Sequence, residues 1–138
     1  MIILKRHFSF CASHRLYNPQ WSEEENKKIF GKCAGKNGHG HNYKLEVAIT
    51  GDIDPHTGMI FHLQYLCDLV NNAVVNDLDH KHLNMDVPWL ANKIPTTEIL
   101  AVEIFKILDE KFKCKNKSKL CGVTVWETEK NIVTVHGS

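Results

Sequence analysis

Two stretches of this chain alternate apolar with polar or small residues, and each runs its apolar face into histidine. From Ile2 to His14 the even positions read Ile2, Leu4, Arg6, Phe8, Phe10, Ala12 and His14. From Gly38 to Gly51 the odd positions read His39, His41, Tyr43, Leu45, Val47 and Ile49. Side chains two apart on a strand share a face, so this period predicts two long strands, each with one face turned to a core. Antiparallel pairing would set His14, at the end of the first, beside His39 and His41 at the start of the second.

Three converging neutral imidazoles leave a fourth position on zinc for water or substrate, the pattern of a catalytic rather than a structural site. Nine histidines in 138 residues make metal chemistry worth testing. Cys33 precedes His39 with five residues between them. As a fourth ligand it would close the site. As a free thiol next to a cation its pKa would fall, making it a nucleophile or base. As an inert loop cysteine it would do neither.

The rest of the composition narrows the field. A chain of this length fits one domain, residues 1–138, with a full core. With 17 basic and 16 acidic residues, it has no field that would draw nucleic acid or an anionic membrane. No apolar run approaches the ~20 residues of a membrane span, and the N-terminus lacks the order of a signal peptide. A cytoplasmic protein is expected. The five cysteines, Cys11, Cys33, Cys67, Cys114 and Cys121, have no zinc-ribbon or secreted-framework spacing, which argues against disulfides.

Arg15 to Asn37 reads as a long connection with one short helix opening at Ser22-Glu23-Glu24-Glu25, a capping-box pattern. A loop this long in a compact domain is commonly functional. After turn chemistry at Gly51 to Gly58, Leu63, Leu66, Cys67, Val70, Ala73 and Val74 at helical spacing predict a helix over Leu63–Asp77 that lies on the sheet. Leu78-Asp79-His80-Lys81-His82-Leu83-Asn84 leaves that helix as a loop. Thr96 and Thr97 are N-cap candidates for a second long helix, Thr97–Phe112, with Glu98 in its first turn. Lys111 to Lys119 reads as a solvated loop. Leu120–Thr128 and Asn131–His136 read as a hairpin, on which Glu127 continues the parity of Val123 and Val125. The order strand, strand, helix, helix, strand, strand predicts an α+β fold: a four-stranded antiparallel sheet with both helices on one face. Such a sheet has open edges that association can cover.

Other chemistry-bearing residues gain meaning only from context. Asp79 and His80 are adjacent, and neighbours in sequence seldom hydrogen-bond each other usefully; the pair matters only if the fold carries it to Cys33. Glu127 is either structurally paired or an anchor for ligand donors. Lys32, Lys36 and Arg15 are candidate phosphate contacts. His62, His82 and His136 receive no role.

The combination Ala12-Ser13-His14-Arg15-Leu16, Cys33-x5-His39-Gly40-His41-Asn42, Leu78 to Asn84, Pro95-Thr96-Thr97-Glu98 and Trp126-Glu127-Thr128 resembles the 6-pyruvoyl-tetrahydropterin synthase family over nearly the whole chain. The resemblance implies the tunnelling fold, with trimers closing into barrels and stacking as a homohexamer. It implies a lyase of tetrahydrobiopterin synthesis that converts 7,8-dihydroneopterin triphosphate to 6-pyruvoyl-tetrahydropterin, releasing triphosphate. By position, His14, His39 and His41 would hold one Zn2+ per subunit and Cys33 would be the base. Asp79 and His80, from a neighbouring subunit, would complete its relay. Glu127 would bind the pterin's N–H edge, with Thr97 and Glu98 nearby. Mg2+ is a candidate companion of the triphosphate.

A sister activity, 6-carboxytetrahydropterin synthase of queuosine synthesis, shares the histidines, thiol and Asp-His pair. It usually has three residues between cysteine and histidine pair, so the spacer of five resembles the tetrahydrobiopterin enzyme. A further relative carries Glu in place of the cysteine, against which Cys33 argues. Two alternatives outside this activity are a zinc hydrolase with Glu127 as base and a non-catalytic pterin-binding scaffold.

Overall fold

The computed structural model describes residues 1–113 and 118–137. Its frame is a pair of long antiparallel strands, β1 (Ile3–His14) and β2 (His39–Gly51). Phe8, Phe10, Ala12 and His14 on β1, and Tyr43, Leu45, Val47 and Ile49 on β2, are buried as the alternation predicts. Phe10 lies opposite Tyr43 in the register, and their rings stack at 5.0 Å, a cross-strand pair that stiffens the sheet just before the histidines.

The connection between them folds as expected at its start. Ser22 Oγ accepts from the Glu25 N–H and caps the first helix, Glu23–Phe30. Buried Asn26 ties that helix to the loop, its Oδ1 accepting from Asn18 N and its Nδ2 donating to Asn18 O. A short 3-10 turn, Gly31–Ala34, then carries Cys33.

The second helix runs over Leu63–Val70, a π turn at Asn71–Val75 and a last turn Asn76–Leu78. The π turn interrupts the regular helix expected there. The third helix spans Thr97–Lys113, with Thr96 Oγ1 capping the Ile99 N–H. Leu66, Val70, Val74, Leu100, Ile104 and Leu108 from these two helices join the apolar residues of the sheet in one core, each fully buried large side chain contributing on the order of 2 kcal/mol. Both helices therefore cover the same sheet face, as the pattern predicts.

The sheet differs from expectation. Among the described residues it has five strands, in the order Lys81–His82, β1, β2, Ser118–Trp126, Ile132–His136, and is mixed, not four-stranded and antiparallel. The extra strand, β3, is Lys81–His82, parallel to β1. It lies in the segment read as a loop, because two residues are too few to show a period. Its pairing is carried by the backbone: His80 N donates to Cys11 O at 2.6 Å and Leu83 N to Ser13 O at 2.7 Å. The closing hairpin is β4 (Ser118–Trp126) and β5 (Ile132–His136). A register shift near Ala48 and Ile49 leaves Cys121 as an extra residue on β4, a bulge that lets both Leu120 and Val123 face the core. Lys111–Lys113 is helical and Ser118–Lys119 is strand, so the expected loop is shorter at both ends; its remainder, with Cys114, lies outside the described residues.

Candidate active site

The register brings the three histidines together. His14 stands opposite His39, and Ala12 opposite His41, so the small alanine leaves the second imidazole room. The ligand atoms of His14, His39 and His41 lie within 4.8 Å of one another, with His14 Nε2 and His39 Nε2 only 3.1 Å apart. His14 is fully buried, and its Nδ1 lies 2.9 Å from the Pro95 carbonyl. A carbonyl only accepts, so Nδ1 carries the proton and Nε2 presents its lone pair to the other rings. Tyr43 Oη sits 3.3 Å from the same Nδ1.

His41 Nε2 is buried and has no hydrogen-bond partner among the described residues. A buried imidazole nitrogen left unsatisfied is costly, and one aimed at two other imidazoles fits a metal ligand. Burial, reinforced by the neighbouring His39, holds His41 below the ordinary imidazole pKa; burial does the same to His14, against the opposing hydrogen bond to Pro95. His14 and His41 are thus available in the neutral form that binds metal. The cluster fits a divalent ion.

Glu127, one residue past β4, adds the charge. Burial raises its pKa, but hydrogen bonds from Asn131 and Thr97, together with the nearby His41 and His14, hold the carboxyl below its ordinary value. Thr97 Oγ1 donates to Oε2 at 2.9 Å and Asn131 Nδ2 to Oε1 at 3.2 Å. The carboxylate is 3.8 Å from His14 Nε2 and equally far from His41 Nε2. Glu98, by contrast, is exposed in the first turn of its helix and takes no part in the hydrogen bonding around Glu127 among the described residues.

Cys33 lies outside the metal cluster and is half-buried with a free thiol. Its turn is tied to the site, since Leu16 N, two residues past His14, donates to Cys33 O at 2.8 Å. Asp79 and His80 sit instead along the edge of β1. Asp79 Oδ1 accepts from Cys11 N at 2.9 Å, a bond that lowers the Asp79 pKa. Contrary to the expectation for neighbours, His80 Nδ1 lies 3.1 Å from Asp79 Oδ1, because the positive φ of 62° at His80 turns the imidazole back. His80 is 82% exposed, and neither residue contacts Cys33 within the chain among the described residues.

Pro95, Asn131 and Asn84 are site residues that pattern reading passed over, because each acts through a backbone group or from a loop. Gly38 is another. At φ +72° a Cβ there would lie 2.8 Å from His14 O and 3.2 Å from His82 Nε2. Gly38→Ala is expected to cost about 1–2 kcal/mol from the left-handed backbone alone, with the clash adding to it, read as a lowered denaturation midpoint, with weaker metal uptake because the clash falls on His14.

A family profile described as 6-pyruvoyl tetrahydropterin synthase matches residues 3–138. The chain is 48% identical over 134 residues to the human 6-pyruvoyl tetrahydrobiopterin synthase, covering 97% of this chain and 90% of that one. A 6-carboxy-5,6,7,8-tetrahydropterin synthase from Synechocystis is 32% identical over 114 residues, covering 80% and 77%. The solved Caenorhabditis elegans 6-pyruvoyl tetrahydropterin synthase superposes with a TM-score of 0.90 at 37% identity, covering 99% of this chain and 96% of that one. With the histidine cluster, the Cys33 turn and Glu127 carried on that fold, the chain belongs to the 6-pyruvoyl tetrahydropterin synthase family.

Proposed function

We propose that the chain is a zinc-dependent lyase converting 7,8-dihydroneopterin triphosphate to 6-pyruvoyl-5,6,7,8-tetrahydropterin and triphosphate in tetrahydrobiopterin synthesis. The observation that carries this reading is the three-histidine cluster, anchored by buried His14, with an ionised Glu127 held beside it. A fixed carboxylate suits the amino and ring N–H edge of a pterin, which offers parallel donors. Zinc bound by His14, His39 and His41 would supply Lewis-acid polarisation of the substrate's side-chain oxygens.

The chain's own residues do the rest. Glu127, braced by Thr97 and Asn131, orients the pterin. Cys33, as thiolate, removes protons from the substrate's side-chain carbons. Triphosphate leaves with the bonding pair of its C–O bond, and the hydrogens lost from the side chain are returned to the ring. Oxidation of one part balances reduction of the other, so no nicotinamide or flavin is required. Asp79 and His80, exposed on the sheet edge, reach the thiol of a neighbouring subunit and relay the proton. In support of such assembly, among the described residues β5 has no outer neighbour and β3 pairs with β1 at Ala12 and Ser13 alone, leaving edges that a barrel of subunits closes; we take the assembly to be a homohexamer. Mg2+ accompanies the triphosphate. The absence of any described helix able to cross a membrane and the free thiols of Cys11, Cys33, Cys67 and Cys121 favour the cytoplasm.

Incubation of zinc-loaded protein, verified as six copies by light scattering, with dihydroneopterin triphosphate is expected to release triphosphate and a pyruvoyl product identified by mass. A carboxy product would move the chain to the sister activity. Tight pterin binding without product would make it a scaffold.

A further inference from the structure

We propose that Arg15 and Asn84 are positioning residues that hold the Cys33 turn against the three histidines, and that Arg15 is committed to this task rather than to the substrate's phosphates. Its predicted effect on rate rests on Cys33 acting as the base; its effect on the turn does not.

Asn84 grips the backbone of the residue next to His14 from both sides. Its Oδ1 accepts from Arg15 N at 2.8 Å and its Nδ2 donates to Arg15 O at 2.8 Å. One side-chain amide thereby continues the pairing of β1 past Leu83 N, which donates to Ser13 O. The strand end that carries His14 cannot fray without breaking both bonds.

From this fixed backbone, two consecutive residues reach the Cys33 turn. Arg15 Nε donates to Ala34 O at 2.9 Å, and Leu16 N to Cys33 O at 2.8 Å. A 3-10 turn of four residues has little internal hydrogen bonding of its own, so these two bonds set where the thiol stands. The guanidinium is otherwise engaged. It lies 3.9 Å over the Tyr17 ring, its Nη2 is 3.6 Å from Glu23 Oε1, and the side chain is only 16% exposed. A fork with its Nε edge, its face and one terminal nitrogen taken is poorly placed to clasp a phosphate.

Lysine preserves the charge but has neither the Nε–H at that point of the stem nor a plane to stack. Arg15→Lys therefore separates a geometric role from an electrostatic one. Misplacing a reacting group by about 1 Å costs on the order of 10²-fold in rate. In the full-length zinc-loaded enzyme, Arg15→Lys and Asn84→Ala are expected to lower kcat at least about tenfold, with KM moved less than about threefold. Alkylation of Cys33 by iodoacetamide, mapped by mass, should accelerate several-fold in the same variants as the turn loosens. Should Asn84→Ala not fold, Asn84→Asp, which keeps the acceptor for Arg15 N and replaces the donor to Arg15 O with an acceptor, carries the same test.

A KM raised about tenfold at unchanged kcat in Arg15→Lys would identify Arg15 as a substrate contact and overturn the proposal. Unchanged alkylation in every variant would overturn it as well. Faster alkylation with unchanged kcat would uphold the clamp and count against Cys33 as the base.

Discussion

Cys33→Ala is expected to abolish turnover while leaving the metal in place. The thiol stands apart from the three-histidine group, so its loss removes no ligand. Its turn is nonetheless tied to the strand end that carries His14 by the backbone bond from Leu16 N to Cys33 O. Loss of a positioned base costs about 10²- to 10⁴-fold, and alanine offers no other atom to take a proton from carbon. The half-buried position and exposed neighbours of the turn predict little change in stability, within about 1 kcal/mol. Metal analysis beside product release separates the outcomes. Metal lost together with activity would make Cys33 a fourth ligand and the site a closed one; full turnover would return the cysteine to an inert loop.

How far such a site can be read from sequence depends on whether each residue sits inside a period. His14 was legible because it is the last even residue of an apolar face, and His39 and His41 because they are the first odd residues of another. Two faces of matching sense, once paired antiparallel, could hardly avoid bringing the three rings together. Glu127 was legible by the same parity, although its bracing was not, since the groups that lower its pKa against burial include Asn131, across the hairpin turn, and Thr97, at the start of a helix. The strand Lys81–His82 was hidden because two residues carry no period; only the backbone bonds to Cys11 and Ser13 define it. Pro95 acts through its carbonyl, which no side-chain pattern reports. The contact between His80 and Asp79 goes with a left-handed backbone at His80, a conformation that histidine adopts more readily than most residues but that no side-chain period reports, so the rule for neighbours pointed the wrong way.

His41→Ala should produce the second large effect, and a divided one: collapse of metal binding and activity with little harm to the metal-free fold. His14 is the poorer choice for this test, because its removal also strands the Pro95 carbonyl and opens a hole in the core. The His41 ring is only partly buried, and its Nε2 has no partner among the described residues. In the metal-free protein that nitrogen is a liability of about 1–3 kcal/mol, set against lost packing of similar size, so the variant's own denaturation midpoint should stay close to the parent's. The parent, given zinc at about 100 times its Kd, should gain about 2.7 kcal/mol, a rise in Tm on the order of 10 °C. The variant should show almost none of it. Acid should imitate the loss of metal but, unlike the mutation, should also lower metal-free stability. His14 and His41 are held below the ordinary imidazole pKa, so their neutral form is favoured down to a lower pH than in the unfolded chain. As pH falls through the unfolded value of about 6.5, the unfolded state takes up protons first and metal-free stability declines toward the folded values. Metal release follows as the ligands themselves protonate. A His41→Ala protein that still binds one equivalent of zinc and gains stability from it would show that the buried cluster, for all its geometry, is not where the metal sits.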